Sequence, residues 1–97
     1  MPNSHVAIQV VPMVPDDIQM YEVIDKAIEV IANSGVRYEV GAMQTVMEGE
    51  LDTLLEIVKQ AQTACIDAGA TEVVTQIAVH YRPGGVTIEE KLDKYRD

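Results

Sequence analysis

The segment Met43-Gln44-Thr45-Val46-Met47-Glu48-Gly49-Glu50 gathers a hydroxyl, two thioethers and two carboxylates into one short stretch of chain. On an extended backbone successive side chains alternate, so Thr45 and Glu48 point to opposite faces near the end of a strand. They also sit just before the helix expected from Leu51 onward, and the start of a helix offers partial positive charge and free N–H groups to a small polar ligand. A plainer account serves the same residues: Glu48 or Glu50 complements the helix dipole while Gly49 makes the turn. The remaining chemistry-bearing side chains do not converge. His5, Cys65 and His80 lack the short spacing of a metal site, and Cys65 falls on an apolar helical stripe, where a thiol is ordinarily structural. Ser4 lies at a terminus expected to fray and Ser34 at a helix cap, so neither reads as a nucleophile. His80 and Glu48 could each reach a cleft at the sheet edge for acid–base work. The glycines form no phosphate-cradling turn between a strand and a helix. No catalytic or metal-ligating residue is assigned.

The elements that position these residues follow from hydrophobic periodicity. Val6, Ile8 and Val10 alternate with Ala7, Gln9 and Val11, which predicts a first strand stopped by Pro12 and Pro15. Asp16 or Asp17 can cap the next helix, whose apolar stripe is Met20, Val23, Ile24, Ala27, Ile28 and Ile31. Gly35 ends it. Val36, Tyr38 and Val40 give a second strand, and a turn near Gly41-Ala42 leads to a third over Met43 to Glu48. Leu51, Leu54, Leu55, Val58, Ala61, Cys65 and Ala68 mark a second helix closed by Gly69. The fourth strand carries Val73, Ile77, Val79 and Tyr81 on one face and Val74, Gln76, Ala78, His80 and Arg82 on the other. Thr87 with Glu90 matches a capping box for a short last helix bearing Ile88, Leu92 and Tyr95.

This order is βαββαβ with an added C-terminal helix: one ferredoxin-like α+β domain over residues 1–97, its four-stranded antiparallel sheet covered by two helices on one face. The uncovered face should carry Gln9, Thr45, Gln76, Ala78 and His80 among apolar Ala7, Val11 and Val74. A half-apolar open face invites a second subunit.

Composition narrows function by exclusion. With 47% hydrophobic residues, four Tyr and neither Phe nor Trp, the core must be aliphatic. A formal charge of -9 repels phosphate backbones and anionic membranes, so nucleic acid and membrane surfaces are not expected partners. A single cysteine cannot form an internal disulfide. The start lacks the charged and apolar regions of a signal peptide, which leads to an expectation of a cytoplasmic protein.

Over nearly its whole length the chain resembles the thiamine-binding family of small ferredoxin-like proteins, many of them first grouped as uncharacterised. The likeness rests on Ala7-Ile8-Gln9-Val10-Val11-Pro12 with Val14-Pro15-Asp16-Asp17, on Tyr38 to Glu50, and on Tyr81 to Lys91. Met43, Thr45, Glu48 and Gly49 match the family's Met-x-Thr-x-x-Glu-Gly pattern. The resemblance implies a homo-oligomer, dimer or tetramer, packed through the open sheet face, and binding of thiamine or its hydroxymethylpyrimidine half without turnover and without a cofactor. Strand four of such proteins commonly carries a lysine and an aspartate where this chain has Ala78 and His80. An aminopyrimidine needs stacking surface, which Met43, Tyr38 or Tyr81 could supply. Gln9, Thr45, Gln76 and His80 could give hydrogen bonds, and Glu48 could accept from the amino group. The expected binding set is Gln9, Tyr38, Met43, Thr45, Glu48, Gln76 and His80. Two other readings remain: an enzyme with its cleft at a sheet-face dimer interface, and a self-associating scaffold.

Overall fold

The computed structural model describes residues 2–95. Its elements run β1 (Ser4–Met13), α1 (Met20–Ala32), β2 (Arg37–Val40), β3 (Thr45–Gly49), α2 (Leu51–Asp67), β4 (Glu72–Tyr81) and α3 (Ile88–Leu92), followed by a single 3-10 turn at Asp93–Tyr95. The sheet is antiparallel throughout, in the order β2-β3-β1-β4. This is the ferredoxin-like α+β fold. Each of α1 and α2 connects two strands that have a third lying between them, and right-handed crossovers bring both helices onto one face.

The alternation seen in sequence decides which residues they cover. Val6 and Ile8 of β1 and Met47 of β3 point toward the helices, where they meet Val23, Ala27 and Ile31 of α1 and Leu54, Ile57, Val58, Ala61 and Cys65 of α2. Burial raises the Cys65 thiol above its ordinary pKa, as befits a structural residue. Leu54, fully buried, is the central leucine of α2, and Leu55 beside it is only half-buried.

Several local expectations need correction. The N-cap of α1 is Gln19, with no side-chain cap, because Pro15 to Ile18 form their own turn and carry Asp16 and Asp17 away from the helix end. Ser4 does not fray: it opens β1 between Gly49 and Tyr81 and is wholly buried. β3 begins at Thr45 rather than Met43, since Gly41 to Gln44 are used in the turn from β2. Thr45 pairs with Ile8 and so lies on the helix-covered face, not the open one. The start of α2 is not vacant either, for the Asn3 side-chain oxygen accepts from Leu51 N at 3.1 Å. The capping box of α3 forms as expected, with Glu90 N donating to Thr87 Oγ1 and Thr87 N to Glu90 Oε1.

Two glycines are required by geometry. Gly69 closes α2 at φ +112°, and a Cβ there would fall 2.3 Å from Ile18 Cδ1. A Cβ on Gly41 would lie 2.7 Å from the Gln44 carbonyl oxygen, the acceptor of the hydrogen bond that closes the β2–β3 turn.

The open face is not wholly open. After β4 the chain turns back, with Arg82 N donating to Asn3 O and Val86 N to Pro2 O, and sets α3 over one corner of that face. The rows Gln9–Gln76 and Val11–Val74 lie farther along it.

Candidate functional site

β1 pairs with β4 along its entire length, as far as Met13–Glu72, but with β3 only from Ser4–Gly49 to Ile8–Thr45. Past Ile8 it therefore has a strand on one side only. The β2–β3 turn and α1 border the gap, and the result is a cleft of about 430 Å³. Gln9, Met20, Tyr21, Ile24, Met43 and Thr45 line it, with the Asp25 carboxylate at its border.

The apolar stripe of α1 supplies the floor of this cleft. Val23, Ala27 and Ile31 are buried against the sheet with Met20, Ile24 and Ile28 flanking them, and all of these but Val23 line the cleft. Tyr21 and Met43 are the most exposed large apolar walls, at 73% and 77%, which leaves surface for a flat ring to pack against. The β2–β3 turn holds Met43 and Thr45 in place through Gly41 N donating to Gln44 O at 3.0 Å.

The expected binding residues thus separate. Gln9, Met43 and Thr45 come together in the cleft. His80 lines a different concavity on the open face. Tyr38 packs on the hydrophobic core opposite Met47, and Gln76 lies opposite Gln9 on the open face. Glu48 is beneath the open-face corner, where its Oε1 accepts from Ile88 N at 2.6 Å and from His5 Nε2 at 3.0 Å. Met20 reads as core in sequence because it falls on a helical stripe, and Tyr21 and Asp25 lie beside that stripe with no pattern to mark them; only the point at which β3 stops shows that all three border a gap.

The second concavity, about 500 Å³, lies between the open face and α3. Its walls are mainly apolar, including Ala7, Val46, Ala78 and Leu92, and the polar groups of His5, His80, Lys91, Gln44 and Glu39 line it too. His5 is 4% exposed and has Lys91 Nζ 2.7 Å from its Nδ1. A charged ammonium can only donate, so Nδ1 accepts and the proton is on Nε2, from which it reaches Glu48. His5 and His80 meet edge to face, with ring centroids 6.2 Å apart. The Lys91 charge, followed by burial and Arg82, holds His80 below the usual imidazole range. Lys91 is itself below the ordinary ammonium range, first through loss of solvent and then through Arg82. No periodicity signalled this cluster, since His5 stands near one end of the chain and Lys91 near the other.

A broader depression of about 650 Å³ between α1 and α2 is lined by Lys26, Glu29, Gln60 and Asp67. Lys26 and Glu29 pair with each other there. Among the described residues no three His, Cys, Asp or Glu side chains are placed to hold a metal ion, and no helix is long and apolar enough to cross a membrane.

With this geometry in hand, the profile of one family, described as thiamine-binding protein, matches residues 6–96. The chain belongs to the thiamine-binding protein family. A UPF0045 protein of Clostridium perfringens is 49% identical over 96 residues, covering 99% of this chain and all (100%) of that one. Among solved structures, a Bacillus cereus domain of unknown function is 58% identical with a TM-score of 0.93, covering 100% of this chain and 94% of that one. A Thermotoga maritima protein, assigned provisionally to thiamine biosynthesis or salvage, is 43% identical with a TM-score of 0.87 over 98% of this chain and 100% of that one. These relatives share the fold, and the family suggests a thiamine-related role and a small-molecule ligand.

Proposed function

We propose that this family member binds thiamine or its hydroxymethylpyrimidine half, without chemical turnover, in the cleft between α1 and the β2–β3 turn. The observation that carries this reading is the convergence of Gln9, Met43 and Thr45 on one cleft that also contains Tyr21 and Met20. A pyrimidine ring is flat, with adjacent donors and acceptors at its edge. Thioether and phenol side chains can sandwich it, while the Thr45 hydroxyl and Gln9 carboxamide meet its edge. The side of β1 that β3 leaves uncovered past Ile8 adds backbone groups in a straight line, a good match to a planar edge. The positively charged thiazolium of intact thiamine would lie toward Asp25. The family's description and the provisional assignment of the Thermotoga maritima relative support the ligand class.

The same reading makes the protein a homo-oligomer in which copies meet over the middle of the open face. Val11 and Val74 there are 40% and 46% exposed, and neighbouring Gln76 carries no formal charge on a chain of net -9. Titration calorimetry with thiamine and with hydroxymethylpyrimidine tests the ligand, and light scattering tests the assembly. Heat with at least one ligand, reduced in Thr45→Val, supports the reading; no heat with either removes it.

A further inference from the structure

The open-face corner contains an arrangement that pyrimidine binding leaves unused. Glu48 Oε1 is 3.0 Å from His5 Nε2, and His5 Nδ1 is 2.7 Å from Lys91 Nζ. A carboxylate fixes an imidazole, and the imidazole faces a nucleophile, the three-part logic of an activated side chain. The carboxylate is itself fixed by Ile88 N at 2.6 Å, and the imidazole is buried, so the line has little freedom to swing. His5 and Lys91 both line the concavity of about 500 Å³, whose other walls are largely aliphatic. We propose that Lys91 is a nucleophilic amine, served by His5 as base and Glu48 as positioning residue, which forms a reversible imine with a small aldehyde or ketone whose apolar body fills the pocket between Ala7, Val46, Ala78 and Leu92.

The chemistry balances without any oxidant or metal. Lys91 Nζ passes a proton to His5 Nδ1, and the resulting imidazolium is paired with Glu48. The nitrogen lone pair then forms a C–N bond as the carbonyl π bond opens, and the carbonyl oxygen takes the proton back from His5. Loss of that oxygen as water takes one of the two hydrogens left on nitrogen, and the nitrogen lone pair closes a protonated C=N bond that keeps the other; hydrolysis reverses each step. The structure supplies two further supports. Partial loss of solvent around Lys91, which is still exposed overall, favours the free amine. His80, whose ring meets that of His5 edge to face, closes a further wall of the same pocket. Neither Lys26 nor Lys59 has such a setting: both are well solvated on helix surfaces and paired with a glutamate one turn away.

The test is reductive trapping on the intact protein, with sodium cyanoborohydride and either butanal or formaldehyde, each modified lysine quantified by peptide mass spectrometry. Lys91 should be labelled by butanal at least about tenfold faster than Lys26 or Lys59. His5→Gln, which keeps a polar side chain of similar size, should bring Lys91 down to the rate of Lys59. Ala78→Leu changes an exposed wall residue and leaves the core untouched; it should slow butanal at Lys91 and leave formaldehyde unaffected, because formaldehyde has no body to exclude. Circular dichroism confirms that each variant is folded. Equal butanal rates at Lys91 and Lys59 overturn the proposal, as does a fast Lys91 indifferent to His5→Gln, which would mean an exposed amine without a base. Butanal trapping insensitive to Ala78→Leu overturns the pocket assignment. These outcomes do not depend on whether the α1 cleft takes a pyrimidine.

Discussion

The two halves of β1 share one alternating pattern yet meet different fates. From Ser4 to Ile8 the strand has β3 on one side and β4 on the other, α1 and α2 beneath it, and α3 over its outer corner; Ser4, His5, Val6 and Ile8 are all buried. From Gln9 to Met13 it keeps β4 but loses β3, and Val11 and Met13 are exposed. The first half buries polar groups only where they have partners, as with His5 between Lys91 and Glu48. The second half leaves a gap bordered by a turn and a helix flank. A cleft forms where a neighbouring strand ends, and the length of β3 therefore sets its extent more than the residues of β1 alone do.

Mutations can sharpen this contrast or break it. The largest effect should come from Met47→Ala beside the first half of β1, where a fully buried side chain is removed: a loss of about 2–5 kcal/mol by urea denaturation. A loss below about 1 kcal/mol would show that the first half is not the rigid one. Glu48→Ala should cost roughly 1–3 kcal/mol by the same measurement, since it strips His5 and Ile88 N of their common acceptor. At the border between the halves, where Thr45 faces Ile8, Thr45→Val should leave the melting temperature nearly unchanged and weaken pyrimidine binding by roughly 3–10-fold, the worth of one hydrogen bond. Unaltered affinity would place the ligand elsewhere. Asp25→Asn should lower affinity for thiamine by a few fold, roughly the value of one exposed charge pair, and leave neutral hydroxymethylpyrimidine unaffected. Smallest of all, Val11→Ala should shift monomer stability by less than about 0.5 kcal/mol. Any larger change that grows with protein concentration would reveal a second subunit on this half of the strand.

Much of the fold was legible because local signals agreed with one another. Period-two strands, two helical stripes, the closing glycine at Gly69 and the Thr87–Glu90 capping box all point to one βαββαβ order. The candidate site was legible in part. Met43, Thr45 and Gln9 could be singled out from the residues and from family resemblance, and the structure places them in one cleft. Tyr38, by contrast, faces the core because it pairs with Met47, and Glu48 faces α3. Register decides both, and a shift of one residue exchanges the faces of a strand. Asp16 and Asp17 looked like caps because cap chemistry is local, but the turn made by Pro15 sets the helix start at Gln19.

The amino-acid sequence alone determined the order of elements, the aliphatic core and the acidic, disulfide-free character of the protein, because each depends on residue type and short-range spacing. Tertiary structure decided where β3 stops against β1, that the α1 stripe meets a gap there, and that His5 and Lys91 touch. Those outcomes rest on pairings between residues far apart along the chain, and no local pattern encodes the distance at which such pairings end.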